Sequence, residues 1–474
     1  MSEEKQCLAG LLFSRNLEEM YVKRTVGEIA EMIPVLNDIE AWKDVVITGV
    51  CFDTRQIETG NLFVPFIGES RDGHAFVGQA HEAGAAAAFW QKDVPNPPAG
   101  VPVLMVEDTL LALQSLAKAY LKQVAPKTIA ITGSNGKTTT KDIMAAIASQ
   151  KYRVHKTGGN FNNHIGLPYT ILSMPEDTEV AVLEMGMNHR HEIEFLTKIV
   201  EPDMAIITNI GEAHLEHLGS REGIAEAKME VTQGLRETSL LIYPSDEPLL
   251  KPLVSNAYRT ATFGETGDIQ PVTIQTEMEG TTFTTNVAPD VAIFVPIVGE
   301  HNVFNTMAAM LAARELGITP EDVKEALANM ERSASRLEWL VGAKGSQILN
   351  DAYNSSPTAL TAVLKTFMHL DSAGKKKFVV VADMLELGTD ADKFHYEAGK
   401  TIKNGSVDQV FAYGTHMTAF AKAAAEQLGA DNVAHFETKE ALKEALLANV
   451  TGDEYIMVKG SYGMGLKEVV DTLL

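Results

Sequence analysis

The residues best suited to chemistry in this chain begin at Gly133. The run Gly133-Ser134-Asn135-Gly136-Lys137-Thr138-Thr139 follows the apolar stretch Thr128–Thr132. Glycines in such a turn let backbone N–H groups close on a phosphate, and a helix beginning there adds positive potential. Lys137 would reach the outer phosphates and the Thr138 hydroxyl would bind Mg²⁺. The longer spacing G-x-x-x-x-G-K-[ST] is not met, because its first glycine falls on Ile131. The loop is the shorter G-x-x-G-K-T.

A phosphate loop with Mg²⁺ calls for a carboxylate at the end of a neighbouring strand. Val180-Ala-Val-Leu-Glu184 supplies one at its exit. Ile206-Ile-Thr-Asn-Ile-Gly-Glu-Ala-His214 is a second strand that delivers polar residues at its carboxyl end, where sites in doubly wound sheets collect. His214 is a candidate metal ligand. Lys228 follows in Ala225-Glu-Ala-Lys-Met-Glu230, and local pattern alone makes it a solvent-facing helix lysine.

The elements that must position these groups are short β-branched runs between helical stretches. The expected strands include Val45–Val50, Val103–Val106, Thr128–Thr132, Val180–Met185, Met204–Thr208, Leu240–Tyr243, Gln347–Leu349, Phe378–Ala382, Gln409–Tyr413 and Tyr455–Val458. Leu110–Gln123, Lys137–Gln150, Asn302–Leu316 and Lys439–Ala448 read as helices. The alternation predicts α/β with largely parallel sheets. Ile269–Pro296 alternates Thr, Val and Phe and reads as antiparallel strands. Val94-Pro-Asn-Pro-Pro-Ala-Gly100 and Met330–Ser335 punctuate the chain as two seams.

The chain has 474 residues, 45% hydrophobic and 22% charged, which fits roughly three globular domains. Its net charge of −23 argues against broad nucleic-acid binding, so an anionic ligand would need a local cradle. Two cysteines, Cys7 and Cys51, read as reduced thiols of a cytoplasmic protein. Met1-Ser-Glu-Glu-Lys5 lacks a secretory pattern, and no run of about 18 apolar residues suggests membrane insertion.

Taken together, five middle-segment blocks resemble the Mur ligases, ATP-dependent amide-forming enzymes of peptidoglycan precursor synthesis. They are Thr132-Gly-Ser-Asn-Gly-Lys-Thr138, Asn160-Phe-Asn-Asn-His-Ile-Gly-Leu-Pro168, Glu184-Met-Gly-Met-Asn188, the stretch from Asn209 through Ala213-His-Leu-Glu216 to Ser220, and His301-Asn-Val-Phe-Asn305. The resemblance covers nearly the whole chain. It extends to Phe52-Asp-Thr-Arg55 and Asp72-Gly-His74 near the start. Near the end it takes in Ser335-Arg-Leu-Glu-Trp339, Asn350-Asp-Ala-Tyr353, Asp383-Met-Leu-Glu-Leu-Gly388 and Lys459-Gly-Ser-Tyr462. The Asn162-Asn163, Glu-x-Gly-x-Asn and Ala-His-Leu-Glu blocks resemble the branch that adds D-alanyl-D-alanine to UDP-N-acetylmuramoyl-tripeptide. The sibling that adds the third amino acid would carry Thr-rich and Asp-His-Leu-Asp blocks.

The resemblance implies three α/β domains: residues 1–106 for the UDP-substrate, a P-loop ATPase-like domain over 107–332 with a mostly parallel sheet, and a Rossmann-like domain over 333–474. It implies an acyl phosphate on the tripeptide carboxylate, attacked by the dipeptide amine. ATP and two Mg²⁺ ions are the implied cofactors, with Thr138, Glu184, His214 and a carbamylated Lys228 as metal ligands. Lys137, Glu184, His214, Lys228 and Arg336 carry the catalysis. Nucleotide contacts fall to Gly133, Ser134, Asn135, Gly136, Lys137, Thr138, Thr139, Asn305 at the adenine, Arg336 at the phosphates and Asp351 at the ribose. Thr54, Arg55, Asp72, Gly73, His74, Asn162, Asn163 and Ser461 are the implied substrate contacts. The implied partners are small molecules, with no nucleic acid, for a monomer. Three positions depart from the family pattern: His191 and Ala382 replace glycine, and Tyr462 stands where many members have arginine. The rival readings are the sibling ligase, a folylpolyglutamate synthetase-like ligase, and a P-loop NTPase that makes no amide.

Overall fold

The computed structural model describes residues 22–68, 71–330 and 336–474. Cys7, the Met1–Lys5 segment and most of the expected seam at Met330–Ser335 lie outside these residues. The chain is α/β, and the described residues form two compact units. Of the described residues, the first unit holds 22–68, 71–130, Tyr152–Gly186 and Glu194–Asp203; the second holds Ile131–Lys151, Met187–Ile193, 204–330 and 336–474.

In the first unit, Val50–Cys51, Leu62–Phe63, Ala87–Gln91 and Val103–Val106 form a parallel four-stranded sheet in chain order. Phe63, Val77, Ala88 and Trp90 fill its core. The expected strand Val45–Val50 is two strands. Val46–Thr48 pairs antiparallel with Lys23–Thr25, and Gly49 at φ +81° turns the chain into Val50–Cys51. That backbone conformation is open to glycine and costly for other residues. Val94–Gly100 is a loop, but the chain re-enters the same sheet beyond it, so it connects neighbouring strands and is not a linker. The Trp90 Nε1–H donates to the Val94 carbonyl at 2.9 Å and pins that loop. Strands Val180–Glu184 and Val154–Lys156 run parallel in this unit. Helix Thr109–Val124 is capped by Asp108, whose carboxylate accepts the Leu111 N–H.

In the second unit, Met204–Ile207, Leu240–Pro244 and Arg259–Phe263 are parallel neighbours. Strand Lys127–Thr132 ends here, its Thr132 carbonyl accepting the Thr208 N–H. Helix Lys137–Ala148 follows, and helix His301–Glu315 is buried on nearly every face. The Thr/Val/Phe alternation is the antiparallel sheet Pro271–Thr276, Thr281–Thr285 and Ala288–Val295. The last sheet has the order Glu338–Val341, Gln347–Asp351, Glu454–Lys459, Lys376–Ala382, Gln409–Tyr413 and Val433–Phe436. Its first strand is antiparallel and the rest are parallel, so Asp351, Lys459 and Ala382 end on one edge. Among the described residues, no helix is long and apolar enough to cross a membrane.

Candidate active site

The phosphate loop is built by sterics and by its neighbour. Gly133 has φ +143° and Gly136 has φ +80°. A Cβ at Gly133 would lie 1.9 Å from Thr208 Oγ1, and one at Gly136 2.7 Å from Asn305 Oδ1. Both positions are therefore closed to side chains by conformation and by contact. The polar residues after strand Met204–Ile207 clamp the turn. The Ser134 N–H donates to the Asn209 carbonyl at 3.0 Å, and the Asn135 N–H to Asn209 Oδ1 at 3.0 Å. The Asn135 carbonyl accepts from Thr208 Oγ1 at 2.5 Å and from Asn209 Nδ2 at 2.9 Å. Thr208 and Asn209 are not among the expected site residues; both are polar at a strand exit, and Asn209 also opens one of the blocks that carry the family resemblance.

Lys137 Nζ donates to the Gly133 carbonyl at 2.9 Å and the Ser134 carbonyl at 3.3 Å, so its ammonium sits over the turn. Arg336 Nη2 donates to Thr138 Oγ1 at 3.2 Å, and its guanidinium lies 4.1 Å from the Tyr353 ring centroid. Thr139 is half-buried in the first helical turn. Asn305 donates to Asn302 Oδ1 at 3.1 Å beside Gly136. Asp351 is paired at 2.5 Å with Lys459, which also donates to the Asn354 carbonyl. Ser461 Oγ accepts the Leu385 N–H at 3.0 Å, tying two loops of the last sheet together. Tyr462 is largely exposed, its ring 5.8 Å from that of Tyr353.

Lys228 contradicts its local pattern. It sits in helix Arg221–Met229 and is only 1% exposed. His214, in a left-handed backbone at φ +63°, has Nδ1 2.6 Å from Glu386 Oε2. Burial, then the Lys228 charge, hold the imidazole well below its ordinary range, at about 4, although Glu386 opposes them. His214 is therefore neutral at pH 7. The Lys137 charge contributes in the same direction, which sets both lysines around this histidine. Among the described residues no three His, Cys, Asp or Glu side chains gather as a metal-ligand group. The expected metal set contains only one histidine and one glutamate of those types, and its other donors are a hydroxyl and a modified lysine.

The remaining expected residues belong to the first unit. Glu184 is buried; its carboxylate accepts from Asn162 Nδ2 at 2.8 Å and its N–H donates to Thr157 Oγ1 at 2.9 Å. Asn163 Oδ1 caps helix Gly166–Leu172 by accepting the Ile165 and Gly166 N–H groups. Asp53 holds Arg55 in an ion pair at 2.6 Å, and that contact pulls the Asp53 carboxyl down to about 2. The Arg55 side chain is 86% exposed, and Thr54 lies half-buried beside it. His74 is buried: Nδ1 donates to Asp72 at 2.6 Å while Nε2 accepts the Gln91 N–H at 3.0 Å. A Cβ at Gly73 would meet the Phe66 backbone at 2.8 Å. Asp72, Gly73 and His74 thus fasten a turn to the sheet.

Two departures from the family pattern have local explanations. His191 takes φ +69°, a conformation glycine adopts freely, and its N–H donates to Glu230 Oε1 at 2.7 Å. Ala382 is fully buried against Gly460, which leaves room for one methyl group.

The residues fit a nucleotide and a hard cation. The Ser134 hydroxyl, Asn135 Nδ2, the Thr132 hydroxyl and the Ser355 hydroxyl are buried with no hydrogen-bond partner. Buried polar groups rarely stay unpaired, so a cluster of them around a Gly-rich turn calls for a polar ligand. The Thr138 hydroxyl and the neutral His214 imidazole of the second unit, and separately the Glu184 carboxylate of the first, are donor types that a divalent ion accepts.

A strand, a clamped G-x-x-G-K-T turn and a helix define the protein as a P-loop nucleotide-binding α/β protein. Three family models match it: the Mur ligase family catalytic domain over residues 46–121, the Mur ligase middle domain over 131–313, and the Mur ligase glutamate ligase domain over 335–462. The chain belongs to the Mur ligase family. It is 47% identical to the UDP-N-acetylmuramoyl-tripeptide–D-alanyl-D-alanine ligase of Bacillus subtilis over 96% of this chain and 99% of that one. It is similar to the crystal structure of MurF from Acinetobacter baumannii, with TM-score 0.86, 29% identity, and 96% and 99% of the two chains covered. The MurF ligase of Thermotoga maritima in complex with ADP matches at TM-score 0.77, 28% identity, and 90% and 96% coverage.

The steric case for the loop is directly testable. Gly133→Ala is expected to weaken ADP binding by at least about tenfold, or about 1.4 kcal/mol, in calorimetric titration. Gly78→Ala, where the added methyl group meets nothing within 4 Å, should leave it unchanged. ADP affinity in Gly133→Ala equal to that of Gly78→Ala would remove the argument.

Proposed function

We propose that the chain joins D-alanyl-D-alanine to UDP-N-acetylmuramoyl-tripeptide at the expense of ATP, giving the UDP-linked pentapeptide, ADP and phosphate. The observation that carries this reading is the clamped phosphate loop with unpaired Ser134 and Asn135 donors, in a chain 47% identical to a D-alanyl-D-alanine ligase over 96% of its length. The tripeptide carboxylate attacks the γ-phosphorus and ADP leaves. The dipeptide amine then adds to the acyl carbon, and the tetrahedral adduct expels phosphate as the C–O bond breaks.

Each residue has a task in these steps. The N–H groups of the loop and Lys137 cradle the β- and γ-phosphates, where positioning and electrostatics carry phosphoryl transfer. Arg336, held over Tyr353, adds a cation next to Thr138. Asp351 meets the ribose and Asn305 the adenine. Thr138, Glu184, His214 and carbamylated Lys228 would hold Mg²⁺, for which two sites are proposed, and the bound ions would offset charge on the transferring phosphoryl group. Carbamylation turns the buried Lys228 cation into an anionic oxygen donor, which removes a charge that otherwise opposes a nearby metal ion. Thr54 and Arg55 face the uridine end. Asn162 and Asn163, the Asp72–His74 turn and Ser461 complete the substrate surface. The working domains are residues 1–106, 107–332 and 333–474, in a monomer acting in the cytoplasm on small molecules.

The reaction class is tested by phosphate release. Release is expected only when UDP-N-acetylmuramoyl-tripeptide and D-alanyl-D-alanine are both present. Equal release with lysine or diaminopimelate on the dipeptide precursor would favour the sibling ligase, and release with ATP alone an NTPase. Lys228→Ala is expected to lower kcat by at least about 100-fold, or about 2.7 kcal/mol of barrier, with partial rescue by a short-chain carboxylic acid. Lys228→Arg should stay inactive, because its guanidinium remains charged and fills the space. Near-native turnover by Lys228→Arg would end the carbamate assignment.

A further inference from the structure

Glu386 lies on the loop that follows strand Lys376–Ala382, and nothing in the reaction scheme so far uses it. Its carboxylate reaches a residue 172 positions earlier in the chain, with Oε2 2.6 Å from His214 Nδ1. A second bond joins the same two loops, because the Glu216 N–H donates to the Glu386 carbonyl at 3.0 Å. Both His214 and Glu386 take left-handed backbone conformations, at φ +63° and φ +62°. The far side of the Glu386 loop is fixed too. The Leu385 N–H donates to Ser461 Oγ at 3.0 Å, and the Ser461 N–H donates to the Asp383 carbonyl at 3.2 Å. The carboxylate is therefore held at a set place by its own loop and presented to one ring nitrogen.

We infer that Glu386 is a positioning residue that fixes the ring and tautomer of His214, leaving Nε2 as the bare, metal-facing nitrogen. A neutral imidazole has one N–H and one lone pair, and the partner of one nitrogen decides the role of the other. A carboxylate at Nδ1 takes the proton there and raises the basicity of Nε2, the arrangement that carboxylate partners give metal-binding histidines. The inference rests on the proposal that His214 is a metal ligand. Its consequence is that the Asp383–Gly388 loop must be docked before His214 is preset for a cation.

The test uses full-length protein labelled with ¹⁵N-histidine, free of metal and nucleotide. The His214 signals are assigned by their loss in His214→Asn. The parent and Glu386→Gln should both show a protonated Nδ1 and a bare Nε2, since the glutamine carbonyl still accepts that proton. Glu386→Ala should show a mixture or the opposite tautomer. Mn²⁺ titration followed by electron paramagnetic resonance should then find affinity lowered about tenfold in Glu386→Ala and much less in Glu386→Gln. An unchanged His214 tautomer in Glu386→Ala overturns the inference. So does Mn²⁺ affinity that falls equally in both variants while the tautomer is kept, because Glu386 would then act as a ligand or a bare charge. Parent-like Mn²⁺ affinity in His214→Asn removes the ligand itself, and with it the metal part of the proposed function. The tautomer readout separates that failure from the first.

Discussion

Five hydrogen bonds between the exit of one strand and the exit of its neighbour set the geometry on which the nucleotide chemistry depends. Thr208 and Asn209 hold the Thr132 carbonyl, the Ser134 and Asn135 N–H groups and the Asn135 carbonyl. A glycine-rich turn has much conformational freedom to lose, and an unclamped one would have to be ordered by the ligand at a cost to affinity. Here the strand bonds do that work when the chain folds. The clamp also explains why the loop can be shorter than the usual phosphate-binding spacing. Shape is imposed from the side by Thr208, whose hydroxyl fills the place a Gly133 side chain would take.

Charge is the second constraint. A chain of net −23 must bind polyanionic substrates, so it depends on local fields more than on overall attraction. Backbone N–H groups, Lys137 and Arg336 supply them at the loop. Lys228 is the exception that gives the site its character, because a buried ammonium beside His214 works against a metal ion. The carbamate proposed at Lys228 would resolve the conflict by reversing the sign of that charge. Glu386 resolves another part of it by assigning the two nitrogens of the imidazole different tasks.

The strand-and-helix plan was readable because strand exits are marked twice, by an apolar run and by the polar residue that ends it. Thr132 and Glu184 are marked that way. Three kinds of information were missing. Gly49 splits one apolar run between two sheets, which periodicity cannot see. The Pro-rich Val94–Gly100 loop has the composition of a linker, yet the strand beyond it pairs with the strand before it. Lys228 looks exposed because its helical neighbours are charged, and only tertiary packing buries it. The clamp and the His214–Glu386 contact join residues 73, 74 and 172 positions apart, so no local pattern could show them. The family resemblance supplied Lys228, Arg336 and Asp351 where spacing alone did not, whereas Thr208, Asn209 and Glu386 required the structure.

The central claim is that the loop transfers a phosphoryl group onto a substrate carboxylate before any amide is made. The most direct measurement uses UDP-N-acetylmuramoyl-tripeptide carrying ¹⁸O in its terminal carboxylate, with ATP and D-alanyl-D-alanine. Mass spectrometry of the released phosphate reads the result. An acyl phosphate places one carboxylate oxygen between carbon and phosphorus, so each turnover should deliver one ¹⁸O to inorganic phosphate. Phosphate released without ¹⁸O, alongside amide formation, would contradict the account.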